Sequence, residues 1–375
     1  MAPETFDVLI VGAGIVGAAC ALELASAGES VCVVEHDVVG GGATAAGMGH
    51  LVVMDEGAAQ LALTRYSQTL WDLLLAEAPE QHEYVRCGTI WVAADEEELA
   101  VVHEKHASYA AHGIASTILD SQALYTCEPH LRAGLAGGLL VSGDGVVYPP
   151  RSAALLLERA RRRGAQLRIA RVTQLVPGGV RVAEGTVLRA GAVVLANGSR
   201  VTELAPEVPV RPKKGHLAIT DRYPGLVRHQ LVELGYIKNA HAASGDSVAF
   251  NVQPRPSGQV LVGSSRQLYD HSRDVDLGML SQMIARALEY LPDLAQLQCI
   301  RVWTGFRAAT PDGLPLIGPH PERPGVWLAT GHEGLGITTA PATARLLAAQ
   351  MLGHASPIPY APYLPSRPSL RANHG

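Results

Sequence analysis

Apolar residues along this chain recur in three rhythms, and each predicts a different element. Unbroken apolar runs mark strands covered on both faces. DVLIV (residues 7–11) and SVCVVE (30–35) are two of these, and they flank a helical stretch from about Gly14 to Ala27 that Gly28 closes, so the chain opens with a βαβ unit. Helical periodicity returns in AAQLALTRYSQTLWDLLLAEA (58–78), in the charged DEEELAVVHEKHASYAAHG (95–113) and in PPRSAALLLERARRRG (149–164), which prolines open and a glycine stops. GTIWVAA (88–94) reads as a strand, as do short runs in AQLRIARVTQLV (165–176), GVRVAEG (179–185) and GAVVLANGS (191–199). From about 206 to 309 the rhythm changes to alternation, in KKGHLAIT, SVAFNVQP, QVLVGSS and IRVWTGF, each bounded by turns. That alternation predicts an antiparallel sheet. A final helix follows the glycines of GHEGLGITTAPATARL (331–346), and the Pro-rich stretch 356–375 predicts a loose tail.

Composition narrows the class. The 375 residues are 47% hydrophobic and 17% charged, values of an ordinary globular protein long enough for two domains. A net charge of -5 advertises no basic face for nucleic acid or anionic lipid. The acidic start MAPETFDVLIV does not read as a targeting peptide, and the glycines, Thr44 and His50 within VVGGGATAAGMGHLVVM argue against a membrane span. A cytoplasmic location is the expectation. Five scattered cysteines with no C-x-x-C predict neither disulfides nor a protein-held metal or iron–sulfur centre.

The chemistry begins at Gly12, Gly14 and Gly17, a G-x-G-x-x-G set directly after a strand, with Ile15 and Val16 at the helix start between them. In that context Gly12 permits the tight turn, Gly14 admits a pyrophosphate close to the backbone, and Gly17 allows the helix to pack on the strand. Glu35 closes the second strand 18 residues after Gly17, placed to accept hydrogen bonds from both hydroxyls of an adenosine ribose and to repel a 2′-phosphate. The long small-residue run HDVVGGGATAAGMGH would let a flat ring system lie on backbone, and GAVVLANGS, with Asn197, ends an apolar strand in small residues. Both favour FAD over NAD.

With those residues in view, the chain resembles the D-amino-acid oxidase-like family of FAD enzymes, in the part that holds glycine oxidase and the flavin subunits of D-hydroxyproline dehydrogenase. ATAAGMGH, RVWTGFRAATPDGLPLIGPHP and GHEGLGI carry the family resemblance, and MGHLVVMDEG and LTRYSQ the narrower one. The resemblance implies an α/β fold with an α+β substrate part, in which a Rossmann-like FAD-binding domain (1–85, 145–205 and 310–355) is interleaved with an antiparallel-sheet substrate domain (86–144 and 206–309). FAD is expected to be held without a covalent link.

The resemblance also assigns roles. Thr44, Ala45, Gly47 and Met48 match the stretch that lines the flavin ring, and Val172 the residue whose backbone meets the adenine. Gly331, Glu333, Gly334, Leu335, Gly336 and Ile337 form the second glycine-rich helix start, whose N–H groups meet the pyrimidine side of the ring. Arg307 matches the arginine that clamps the substrate carboxylate, a task suited to a planar guanidinium fork. Arg266 falls beside the substrate or is a solvated strand-end arginine; Asn251 stands where glycine oxidase has an aromatic residue; His50 faces the ring or is structural. Tyr236 and Lys238 either reach the 4-hydroxyl of a hydroxyproline or lie on a half-exposed strand. The implied activity is oxidation of a D-amino acid or cyclic secondary amino acid by hydride transfer from Cα to flavin N5, cis-4-hydroxy-D-proline first among the substrates. The implied partners are that small molecule and an electron acceptor, either a soluble carrier or further subunits of an oligomer.

Overall fold

A computed structural model describes residues 5–235 and 245–370. Two eight-stranded sheets carry the chain. In the first, Thr5–Val11 lies between Val31–Glu35 and Val187–Leu195, all parallel, with Gln166–Ile169 beyond one neighbour and Val326–Thr330 beyond the other. The strand explains its own unbroken apolar run. Val8 and Ile10 enter a core with the helices Ile15–Ser26, Pro149–Arg162 and Gly336–Met351, while Leu9 and Val11 enter a second core on the other face, a cluster that Phe6 joins. From Val8 onward it is covered on both sides and carries no polar residue, whereas Thr5 and Asp7 before it are exposed. Ile15–Ser26 packs against both of the other helices through small residues such as Ala18, Ala21 and Ala25.

The second sheet runs from Cys299–Ala309 through Arg211–Arg222, Gln259–Arg266, Ser247–Pro254, Gln230–Glu233, Thr89–Ala93 and Gly137–Val141 to Thr117–Asp120. It is antiparallel except that Gln230–Glu233 runs parallel to Thr89–Ala93, a departure from the expected pattern. Alternation predicted only strands between 206 and 309, yet Leu277–Tyr290 is a helix. Asp276 caps it through the Met279 N–H, and Met283, Ala287 and Tyr290 at helical spacing cover the sheet, Tyr290 stacking on Phe250 at 4.4 Å.

The stretch after residue 356, expected to be a loose tail, is docked as far as residue 370. Tyr363 is buried with its hydroxyl donating to the Ala59 carbonyl at 2.6 Å, and buried Arg367 donates to both oxygens of Asp312 at 2.7 Å. Buried anchors override a proline-rich composition because the apolar area they remove from water offsets the ordering cost. Among the described residues no helix is long and apolar enough to cross a membrane.

Candidate active site

The carboxyl ends of the first sheet's parallel strands face the second sheet across a cavity of about 1490 Å³. Gly12 follows one strand in a left-handed conformation, φ +105°, and a Cβ there would lie 2.8 Å from the Ala196 carbonyl oxygen. Gly17 lies so close to the preceding turn that a Cβ would sit 2.0 Å from the Gly12 oxygen, so its place is one of packing; it does not line the cavity. Gly12, Gly14, Ile15 and Val16 do line it. The Ile15 N–H at the helix start is met at 3.0 Å by the Thr44 hydroxyl, which ties the small-residue run to the fingerprint turn.

Glu35 is buried at the same rim. Its carboxylate accepts from the Ala13 N–H at 2.7 Å and the Asp37 N–H at 3.0 Å, with the His36 ring at 2.7 Å. These bonds fix the group: Oε1 takes the Asp37 N–H and the His36 ring, while Oε2 takes only the Ala13 N–H and keeps capacity for another donor. Val172 and Asn197 line this end of the chain's cavity residues, and Asn197 Oδ1 is buried with no hydrogen-bond partner among the described residues. Thr44, Ala45, Gly47 and Met48 line the cavity from the short helix Gly42–Ala46 and the turn after it.

The second glycine-rich helix start also lies on the cavity, through Glu333, Gly334, Leu335, Gly336 and Ile337. Gly331, expected with them, does not line it; it makes a turn, φ +81°, against Thr310. Glu333, another expected contact, turns its side chain to Lys213 at 2.6 Å and gives its N–H to the Ala308 carbonyl at 2.9 Å. Helix Gly336–Met351 begins with no side-chain cap and no acidic residue in its first turn, which leaves the positive end of its dipole unanswered by side chains. Thr338 then stitches the start to the small-residue run, its hydroxyl donating to the His50 carbonyl at 2.8 Å.

Arg307 comes in from Cys299–Ala309. Its guanidinium donates to the Ser265 carbonyl and the Ser264 hydroxyl, both at 2.9 Å, so the plane of the fork is fixed. A Cβ on Gly334 would lie 3.4 Å from the Arg307 stem, so the clamp candidate and the helix start share one wall.

His50 and Asn251 face this wall, and both line the cavity. Burial lowers the His50 pKa to about 4, with the Asn251 amide beside it pulling the other way, so the ring is neutral at ordinary pH. Neither His50 Nε2 nor Asn251 Oδ1 has a partner in good hydrogen-bond geometry among the described residues. Arg266 ends its strand half-buried and on the cavity. Tyr236 and Lys238 lie outside the described residues.

Sequence reasoning missed Ser264 and Ser265, which hold Arg307, and also Thr89, Trp91 and Gln230, which line the cavity from the second sheet. Nothing in GTIWVAA marks Trp91 as more than a core residue; its relation to Asn251 appears only through strand pairing.

A Gly-rich turn, a buried acid closing the second strand, an orphaned Asn197 oxygen and two glycine-led helix starts on one long cavity define a dinucleotide-binding oxidoreductase site, and these residues fit FAD. The comparisons agree. The FAD dependent oxidoreductase family matches residues 7–350, and the chain belongs to that family. It is 30% identical to glycine oxidase of Geobacillus kaustophilus over 92% of each chain. The crystal structure of glycine oxidase from that organism superposes with a TM-score of 0.86 over 97% of this chain and 99% of its own, at 29% identity. Hydrogen cyanide synthase subunit HcnC of Pseudomonas aeruginosa is 27% identical, covering 97% of this chain and 96% of its own length. L-proline dehydrogenase from P. horikoshii shares the fold, with a TM-score of 0.87 at 22% identity over 97% of each chain.

Proposed function

We propose that this FAD-dependent oxidoreductase is a dehydrogenase of a D-configured cyclic secondary amino acid, with cis-4-hydroxy-D-proline as substrate and a hydroxylated pyrroline carboxylate as product. The observation that carries the proposal is Arg307, braced on Ser264 and Ser265 and packed against Gly334 at the start of the closing helix. FAD, when bound, supplies the acceptor for the hydride leaving the α-carbon.

The chain's own residues supply position and field. Arg307 pairs with the substrate carboxylate and so fixes where the α-carbon lies. Asn251 Oδ1 offers an acceptor to the amine N–H. His50 stays neutral and adds no positive charge that would repel a protonated amine. The uncapped start of Gly336–Met351 favours negative charge in front of it. The D configuration and the ring hydroxyl rest on the resemblance carried by MGHLVVMDEG and LTRYSQ.

A second reading, a glycine or sarcosine oxidase that yields hydrogen peroxide, draws on the relatives that bear the name glycine oxidase. A third, a flavin-bearing subunit of a larger complex, draws on the relative named as a subunit. Anaerobic mixing of the purified protein with cis-4-hydroxy-D-proline, its L isomer, glycine and sarcosine decides among them. The proposal expects the first to bleach the flavin fastest, with little peroxide formed in air. Fastest bleaching by glycine or sarcosine with rapid peroxide formation overturns it, and bleaching by none of the four favours the subunit reading.

A further inference from the structure

Two cross-strand rows of the second sheet meet the cavity. Val232 pairs with Trp91 on one side and with Asn251 on the other, and Gln230 pairs with Thr89. Paired residues share a face, as do residues two apart on a strand, so Thr89, Trp91, Gln230 and Asn251 stand on one surface. All four line the cavity.

Two atoms on this surface lack partners among the described residues: the indole nitrogen Trp91 Nε1, a donor only, and the amide oxygen Gln230 Oε1, an acceptor only. Both residues are almost wholly buried, at 2% and 0% exposed. An orphaned buried donor and an orphaned buried acceptor each carry a desolvation cost that a ligand able to pair with them would remove.

Neither atom is free to find a partner by turning. The Gln230 amide is oriented by its nitrogen, which donates to the Thr89 hydroxyl at 3.2 Å and to the Gly145 carbonyl at 3.0 Å, so the oxygen is the end left over. The Trp91 ring carries the Lys105 ammonium 4.6 Å from its centroid, and that ammonium is itself paired with Asp55. A desolvated cation on a ring face fixes the ring's position.

A donor and an acceptor on one face of the cavity wall match one common group, the hydroxyl, which can accept from the indole N–H and donate to the amide oxygen. A carboxylate lacks the donor and an ammonium lacks the acceptor. We propose that Trp91 and Gln230 are specificity-determining residues that read a hydroxyl on the part of the amino-acid substrate farthest from Arg307. This rests on the proposed amino-acid oxidation, and it assigns to the Thr89–Ala93 and Gln230–Glu233 strands the hydroxyl recognition that the sequence suggested for Tyr236 and Lys238.

The test is the anaerobic rate of flavin reduction by D-proline and by cis-4-hydroxy-D-proline, in the wild type and in Trp91→Phe, which deletes the donor and keeps an aromatic ring. The wild type is expected to favour the hydroxylated ring in kcat/KM by about tenfold or more, and Trp91→Phe to lower that ratio by about tenfold, chiefly through KM. Should Trp91→Phe fail to retain flavin, Gln230→Glu reads the same ratio, because a carboxylate keeps the acceptor and removes the amide donors that orient it; there too the ratio is expected to fall. A wild type that reduces equally with both rings overturns the inference while leaving amino-acid oxidation intact, as does an unchanged ratio in a flavin-bearing variant. Reduction by neither ring overturns the functional proposal and this inference with it.

Discussion

Arg307 holds its place because a neighbour has no side chain. A Cβ on Gly215 would lie 2.5 Å from Arg307 Nη1, in the space the guanidinium fills as it crosses the Arg211–Arg222 strand to reach Ser264 and Ser265. Gly215→Ala is therefore expected to displace the clamp and leave the far end of the cavity untouched. A loss of about 10²-fold in kcat/KM with an unchanged flavin-to-protein absorbance ratio is the predicted result. Kinetics indistinguishable from wild type would show that Arg307 does not position the substrate. At this scale the fingerprint glycines, Glu35 and Arg307 were legible, since each sits in a local string whose spacing carries the chemistry. Ser264, Ser265, Trp91 and Gln230 were not, because their partners come from strands tens to hundreds of residues away. Nor were the Thr44 hydroxyl on the Ile15 N–H and the pairing of Glu333 with Lys213, which join residues far apart in the sequence.

The closing helix shows how an element survives a fault in its own sequence. Pro341 lies inside Gly336–Met351 and has no N–H to give, so the ladder is broken one turn after the start. Two residues of Ala58–Leu75 mend it. The Trp71 indole N–H reaches the Ile337 and Thr338 carbonyls at 3.1 and 2.9 Å, and the Ser67 hydroxyl donates to the Thr338 carbonyl at 2.6 Å while accepting from the Ala342 N–H at 3.3 Å. The Ser67 hydroxyl is buried, and without it the Ala342 N–H loses an acceptor while the Thr338 carbonyl keeps only the Trp71 donor. Ser67→Ala is expected to cost about 1–3 kcal/mol in denaturant unfolding and to weaken flavin retention, because the helix start loses its anchor. A change within about 0.5 kcal/mol, ordinary for a surface site, would contradict the account. The helix itself was legible from its glycines and period; its mending was not, because Ser67 and Trp71 belong to another helix. Leu277–Tyr290 escaped for a different reason: its capping Asp276 and helical spacing lie between alternating runs that suggested only sheet.

For the molecule as a whole, the sequence conveyed a parallel sheet fed by a βαβ unit and a second sheet rich in alternation. What it did not convey is that the two stretches it assigned to the substrate part, 86–144 and 206–309, are joined by a parallel pair, Thr89–Ala93 with Gln230–Glu233. That long-range closure brings Trp91 to the same wall as Asn251 and completes the cavity opposite the fingerprint. The central claim is that this wall and the start of Gly336–Met351 present an amino acid to FAD through its carboxylate, held by Arg307. The most direct measurement is anaerobic stopped-flow reduction of the bound flavin by cis-4-hydroxy-D-proline, in the wild type and in Arg307→Ala. The account predicts that the variant binds flavin as the wild type does and is reduced about 10²-fold or more slowly at subsaturating substrate. A variant reduced as fast as the wild type would contradict it.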